Sequence, residues 1–295
     1  MLTFREITLA DRDTFRPYLM KDHMKACTES FQTVYLWSGI YKTVFALEKG
    51  WLLMKNGEGC YAFPLGEGDL KEAIALLRED AHAAGKKLCF FGITAGQKAE
   101  LEALFPGEFT YTADRDNAEY LYEAERLATF AGKKLHAKRN FVNRFMENHP
   151  DWQFVPLTEE NIPAVQAMHR EWARINEGSE DGLHKESCVV TRCFKEYKDL
   201  DMLGGVLMAS GKIEGFSIVS RISETVADIN IEKAFATEPG SYPMVCREMA
   251  KLILERWPEV TLLNREEDMG DEGLRQSKES YRPSEMLEKF ATKEI

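Results

Sequence analysis

The chain has 295 residues, 44% of them hydrophobic and 29% charged, enough for one large globular core or two ordinary ones. Its formal net charge of −11 excludes general nucleic-acid coating, which needs a concentrated cationic surface, but leaves room for a local basic groove. Nowhere do about 18 apolar residues run together, so no membrane-spanning helix is predicted and any membrane contact is peripheral.

Met1-Leu2-Thr3-Phe4-Arg5 runs directly into charge, so no targeting segment is expected. Asp11 can start a helix. Strand patterns follow at Thr43 to Leu47 and Trp51 to Lys55, then at Cys60 to Pro64 before Gly66 and Gly68. Leu70, Ile74, Leu77 and Ala81 have helical spacing, closed by Gly85. Leu88 to Ile93 reads as a buried strand and Lys98 to Leu104 as a helix. In the second half, a helix runs from Ile162 towards Ile175, and a hairpin joins Met202–Ala209 to Ile213–Ser220. Val226 to Ile231 is a strand ending at Glu232-Lys233, Pro243 to Trp257 a helix, and Val260 to Leu263 a strand. The same order of strands and helices thus occurs twice, which indicates α/β layers. The expected segments are 1–130, a basic connecting helix over 131–150, and 151–295.

The six cysteines include no Cys-x-x-Cys pair and read as reduced thiols of a cytosolic protein, with Cys60, Cys89 and Cys246 in the core. His184 and Cys188 are four apart, but a zinc site needs three or four ligands of recognisable spacing, so no metal is expected. No Gly-x-Ser-x-Gly elbow is present.

Four places carry polar groups in patterns that chemistry could use. Between Gly132 and Phe145 stand Lys133, Lys134, Lys138, Arg139 and Arg144 with no acid among them, an amphipathic basic helix whose Leu135, Val142 and Phe145 face a core. Such a face attracts RNA phosphates or anionic head groups, or is a solvated helix offset by Glu119, Glu123, Glu125 and Glu147. The loop Thr237 to Tyr242 precedes a helix whose first amides, at Gly240, Ser241 and Tyr242, could hold the pyrophosphate of an acyl-CoA, although Gly240 is its lone glycine. Glu232 could act as a base, with Lys233 beside it for a carboxylate or phosphate. Asn264-Arg265-Glu266-Glu267-Asp268, then a turn at Gly270 and a short amphipathic stretch with Lys278 and Tyr281, sets polar groups beyond a strand end, where α/β proteins build sites.

The run Asn264 to Gly270 with Glu272-Gly273-Leu274-Arg275, Lys278, Ser280, Tyr281 and Pro283 resembles a bacterial family of unknown function related to the C-terminal catalytic domain of phosphatidylglycerol lysyltransferases. Tyr61 to Asp69, Asp114 to Tyr122 with the basic helix, and Ile231 to Ala234 before Gly240 and Tyr242 carry the same resemblance. It implies an α/β (α+β) tandem GNAT-like acyltransferase fold, two mixed-sheet repeats flanked by helices, similar to the Fem peptidyltransferases. In those relatives an aminoacyl-tRNA donates its amino acid to a lipid or peptidoglycan acceptor. By that resemblance Lys278 or Arg265 would face the developing oxyanion, Asp268 or Glu232 would accept the proton, and Tyr281 would orient a small-molecule, peptide or lipid acceptor. Lys138, Arg139, Asn140, Arg144, Lys233 and Asn264 would bind the substrate or the tRNA, with Lys138, Arg139 and Arg144 on phosphates. The alternatives are an acyl-CoA-dependent N-acyltransferase using Gly240 to Tyr242, and a non-catalytic ligand- or RNA-binding protein. The expected location is cytoplasmic, at most peripheral to the membrane.

Overall fold

The computed structural model describes residues 2–176 and 181–295. In chain order, the early elements are β1 (Arg5–Glu6), α1 (Arg12–Phe15), α2 (Phe31–Tyr41), β2 (Val44–Glu48), β3 (Trp51–Lys55), β4 (Leu65–Gly66), α3 (Leu70–Ala83), β5 (Cys89–Thr94), α4 (Ala95–Leu104) and β6 (Phe109–Ala113). Next come β7 (Glu119–Glu123), α5 (Ala124–Thr129), α6 (His136–Asn148), β8 (Gln153–Pro156), α7 (Ile162–Asn176) and α8 (Asp181–Glu196). The last are β9 (Leu203–Ala209), β10 (Lys212–Arg221), β11 (Val226–Ala234), α9 (Ser241–Arg256), β12 (Leu262–Asn264), α10 (Glu272–Ser280), β13 (Glu285–Leu287) and β14 (Lys289–Glu294).

These elements form two compact units that are not contiguous in sequence. The first comprises Met1–Glu119, Glu267–Asp271 and Met286–Ile295; the second comprises Tyr120–Glu266 and Glu272–Glu285. The expected segments 1–130 and 151–295 are continuous, whereas each unit borrows chain from the far side of the other.

In the first unit, β1, β2, β3 and β4 pair in that order, all antiparallel. A bridge at Tyr61, antiparallel to Lys55 and parallel to Phe90, carries the pairing on to β5. There β14 lies between β5 and β6, antiparallel to both. Helix α3 forms where the spacing predicts it. Asp69 caps it by accepting the Lys71 N–H at 2.9 Å, and Ala73, Ile74, Leu77 and Ala81 are buried on one stripe. That stripe joins Trp51, Leu53, Tyr61, Phe63, Phe90 and Leu101 in the unit's core.

One expectation is overturned here. Cys60 and Cys89 are not free thiols but a disulfide, with Cα atoms 4.8 Å apart. The cause is the Tyr61 bridge: Tyr61 N–H donates to Cys89 O at 2.8 Å, and Phe91 N–H donates to Tyr61 O at 3.0 Å. This register sets the two cysteines side by side, within disulfide reach. Cys27, Cys188, Cys193 and Cys246 remain free, and Cys188 is exposed.

The second unit's sheet runs β7-β12-β11-β10-β9-β8, with the strand starting at Glu285 at its edge. Strands β8 to β11 are antiparallel neighbours, β11 and β12 are parallel, and β12 and β7 are antiparallel. Strand β11 is longer than the sequence suggests: it continues to Ala234, with Glu232 paired to Ser217 and Lys233 to Phe216. Glu232 and Lys233 are therefore inside a strand rather than at its end. Behind the sheet packs α9, with Met244, Val245, Met249, Ala250 and Ile253 buried. Among the described residues, no helix is long and apolar enough to cross a membrane.

Candidate active site in the second unit

The parallel step between β11 and β12 is where side chains from several elements meet. Arg265, just past β12, lies against Glu232 of β11, Nη2 to Oε1 at 2.6 Å, and both side chains are only 10% exposed. The backbone fixes this placement: Arg265 N–H donates to Tyr120 O at 2.9 Å, and Asn264, fully buried, accepts the Glu266 N–H at 2.7 Å through its side chain. Glu266 then takes φ +56°, which turns the chain sharply.

Around this pair sit Tyr122, Tyr281, Lys138 and Cys246. The Arg265 guanidinium lies over the Tyr281 ring at 4.5 Å and over Tyr122 at 5.6 Å. The Lys138 ammonium, reaching in from α6, lies 3.7 Å from the centre of the same Tyr281 ring. Cation–π attraction of this kind holds cations without neutralising them. Lys138 has no carboxylate partner among the described residues. Nη1 of Arg265 is buried and has no acceptor among them either. Two cations with unused donors thus contact one aromatic ring.

Charge states follow from these neighbours. Burial pulls the Arg265 pKa down, but Glu232 outweighs it, and the guanidinium is held well above its ordinary value. Burial first, and then the charge of Arg265, lowers the Lys138 pKa to about 8. Burial pushes the Cys246 thiol up to about 12 and raises Tyr281, so both stay protonated at neutral pH.

Lys278 adjoins this cluster, and the other expected residues fall elsewhere. Lys278, 9% exposed, gives its ammonium to Arg265 O at 2.5 Å, while its own carbonyl accepts the Tyr122 hydroxyl at 2.8 Å. It braces the turn that carries Arg265. Asp268 belongs to the first unit, where Arg115 Nη1 at 2.9 Å and the Gly270 amide at 2.9 Å bind its fully buried carboxylate. Lys233 pairs with Glu186 at 2.7 Å and lies over Trp172 at 4.3 Å. Arg139 donates to the carbonyls of Phe130 and Gly132, the latter at 2.8 Å, so it ties down the entry to α6. Asn140 contacts His136 at 3.3 Å and Arg144 lies over Phe141, both at the surface of α6. Lys133, Lys134, Arg139 and Arg144 share one property with Lys138: no acid within 4 Å pairs with any of them among the described residues.

The start of α9 packs tightly against α6. A Cβ at Gly240, whose φ is +105°, would lie 2.5 Å from Phe141 O and 3.0 Å from Phe145 Cβ. Glycine is there because α6 crosses within backbone contact. Ser241 N–H donates to Glu238 O at 3.3 Å, and Pro243 has no N–H to offer. The Tyr242 hydroxyl accepts from Trp172 Nε1 at 3.1 Å.

In the first unit, Cys27, Glu119 and Glu267 bring one ligand atom each within 4.8 Å of one another. Lys289 already supplies the positive charge there: its ammonium lies 2.7 Å from Glu119, with side chains 3% and 2% exposed. Cys27 adds its N–H at 2.9 Å and its thiol at 3.3 Å to the same carboxylate. These donors suit a buried ion pair better than a metal.

Tyr122 and Cys246 were not among the expected site residues. Tyr120, Leu121 and Tyr122 are residue types that favour strands, but nothing local says that they pair with β12.

An α+β fold of mixed sheets with flanking helices, resembling GNAT and Fem-transferase folds, carries this cluster. The chain belongs to the family described as phosphatidylglycerol lysyltransferase, C-terminal, which it matches over residues 23–293. It is 36% identical to a conserved protein of unknown function from Bacteroides thetaiotaomicron VPI-5482, with a TM-score of 0.95 and 100% of both chains covered. The C-terminal domain of a putative lysylphosphatidylglycerol synthetase from Agrobacterium fabrum has a TM-score of 0.68 at 14% identity, covering 98% of this chain and 92% of that one. FemX has a TM-score of 0.63 at 8% identity, covering 100% of this chain and 98% of its own. These last two likenesses establish fold alone. An uncharacterised protein of Mycoplasmoides gallisepticum is 23% identical over 181 residues, 61% of this chain and 57% of that protein.

Proposed function

We propose that this chain is an aminoacyl-tRNA-dependent acyltransferase, built from two GNAT-like domains that exchange strands. In each unit four antiparallel strands are followed by one parallel step, which in the first unit is a single bridge at Tyr61, and then by an antiparallel strand from a distant part of the chain, β14 in one and β7 in the other. That shared order supports the tandem reading, with the basic segment 131–150 lying between the halves in sequence.

The observation that carries the reading is the Arg265 fork. Glu232 holds one nitrogen and leaves the other, buried and positively charged, without an acceptor. Preorganised donors of this kind stabilise the oxyanion formed when an amine or hydroxyl attacks an ester carbonyl. Lys138, with its pKa near 8, takes the proton of the attacking group and returns it to the leaving ribose oxygen of the tRNA. Glu232 clamps Arg265, Tyr281 positions both cations, and Lys278 is a positioning residue acting through the Arg265 carbonyl. Lys133, Lys134 and Arg144 remain for the tRNA phosphates. The packing of α6 on Gly240 and the Ser241 N–H already given to Glu238 O favour this donor over acyl-CoA, whose pyrophosphate needs open amides at Gly240 to Tyr242. The acceptor is a lipid, peptide or small molecule, met by a cytoplasmic protein at or near the membrane surface.

The test is thermal melting of the purified chain with aminoacylated tRNA, with uncharged tRNA and with acetyl-CoA. A ligand at about 100 times its dissociation constant adds roughly 2.7 kcal/mol. Stabilisation by the aminoacylated tRNA beyond the uncharged form is expected. A shift with acetyl-CoA alone would replace this reading with the acyl-CoA one, and no shift with any of the three would leave a non-catalytic protein.

A further inference from the structure

The strand at the end of a sheet leaves a row of backbone N–H and C=O groups unpaired, and an open row invites another chain to pair with it. All but one of these ends among the described residues are short, closed or bridged. Strands β1 and β4 have two residues each, and β13 has three. Strand β8 closes on Pro156, and the outer side of β5 is bridged at Phe90 by Tyr61. Strand β6 is the exception. It pairs with β14 alone among the described strands, and its five residues include no charge, no proline and no bulge.

The register fixes which groups β6 offers. On the β14 side, Glu108 O accepts the Ile295 N–H and the Asp114 N–H donates to Lys289 O, both at 2.9 Å. Antiparallel bonding alternates along a strand, so Thr110 and Thr112 between them also bond towards β14. Phe109, Tyr111 and Ala113 therefore turn their N–H and C=O groups outward. The side chains of Thr110 and Thr112 share the face opposite to Tyr111, and both are exposed.

The strand reads almost the same in both directions about Tyr111, as Phe-Thr-Tyr-Thr-Ala. A two-fold axis through Tyr111 sets a second β6 antiparallel to the first, and every outward N–H then meets a carbonyl. Tyr111 faces its own copy, Phe109 faces the small Ala113, and Thr110 faces Thr112, a hydroxyl pairing that antiparallel strands favour. Charges on α4 match the same axis. The Lys98 ammonium lies 5.2 Å from the centre of the Tyr111 ring. Burial first, and then Glu102 one turn further along α4, push the Tyr111 hydroxyl up to about 12, which sets that carboxylate beside the ring as well. Rotation about Tyr111 turns Lys98 of each copy towards Glu102 of the other. Glu108 and Asp114 oppose each other only at the ends of the seam, where salt screens them.

We propose that two copies of this chain associate edge to edge through β6, antiparallel about Tyr111, and so continue one sheet across both. The contact is isologous and uses up the open edge, so association stops at two. A seam of five residues is small, and the dimer forms and dissociates reversibly. It lies in the first unit and does not depend on the transfer reaction proposed for the second.

Sedimentation of the full chain over a range of concentrations tests it, with a reversible rise from the mass of one chain to that of two expected. Thr110→Lys with Thr112→Lys sets like charges opposite each other on both sides of the axis and should weaken association about tenfold or more. Thr110→Lys with Thr112→Glu changes the same two exposed positions but sets opposite charges across the seam, so the dimer should persist. A chain that stays monomeric at every concentration would overturn the proposal and leave the edge to a peptide of another protein. Association undiminished in the first variant, or lost equally in both, would overturn it as well. Should the first variant melt early, Ala113→Pro takes its place: it removes an outward N–H and no bond to β14, and should also give monomer.

Discussion

Two buried ion pairs, one in each unit, are built from the same kinds of groups and do opposite things. Lys289 and Glu119 are almost wholly enclosed, and the carboxylate is surrounded by donors: an ammonium, a backbone N–H and a thiol. Arg265 and Glu232 are nearly as buried, but one arm of the guanidinium is left without an acceptor and a second cation, Lys138, is set beside it. A satisfied pair locks a structure. A pair with a spare donor is costly to keep unless something arrives to use it.

The sharpest way to break this comparison is Arg265→Lys. A lysine preserves the charge opposite Glu232 but has no second fork nitrogen. Loss of an oxyanion donor lowers the rate by about a hundredfold or more, so transfer should fall at least that far while the melting temperature moves little. Near-full turnover would remove Arg265 from the mechanism.

Lys289→Met should do the reverse. Removing one partner of a buried pair costs about 3–5 kcal/mol, because the other charge is left uncompensated. Thermal melting should show a drop of roughly 10 °C. Adding Glu119→Gln should restore part of it; a second loss of the same size would mean the two side chains are not coupled.

The pH dependence sharpens the contrast from another side. The Lys138 pKa is lowered from 10.5 to about 8 in the folded protein. Between those values the unfolded chain binds more protons, so this residue's contribution to stability rises with pH through that window. Below about 8 the burial of its charge opposes folding, and above 10.5 both states are neutral. Transfer should climb as pH passes through 8 and lose that limb in Lys138→Gln, measured as a pH–rate profile. A limb unchanged in the variant would assign the proton to another group.

The smallest effect belongs to the exposed face of α6 and the residues leading into it. Lys133→Gln, Lys134→Gln or Arg144→Gln should each weaken tRNA binding modestly and reduce the slope of log affinity against log salt by about one. A slope unchanged in all three would leave the basic face as solvated surface.

Much of the fold was legible in local pattern. The α3 stripe, the β9–β10 hairpin and the α9 face came from spacing alone, because each is set by which side chains a short segment must bury. Strand β7 and strand β14 were not, because their partners lie about 140 and 180 residues away in sequence and nothing in Glu119–Glu123 or Lys289–Glu294 names them. The site divides the same way. Arg265 and Glu232 stood out as charges near strands, but their pairing depended on β11 and β12 being parallel neighbours. Lys138 reads as one of several basic residues on a helix, and only the Tyr281 ring distinguishes it from Lys134. Lys278 looked reactive because lysines beyond a strand often are; its ammonium turned out to hold a backbone carbonyl. The disulfide was hidden for a related reason: the spacing of Cys60 and Cys89 says nothing until Tyr61 bridges Phe90.

The place of β14 between β5 and β6 has a consequence for how the chain is made. Residues 109–113 leave the ribosome about 180 residues before their partner strand, at 289–294, exists. At about 5–20 residues per second, that is a wait on the order of ten to forty seconds. Throughout it the first unit has an open seam between two strands, each showing unpaired backbone. The second unit's strands β8 to β12 emerge during that interval, so the half synthesised first is the half completed last.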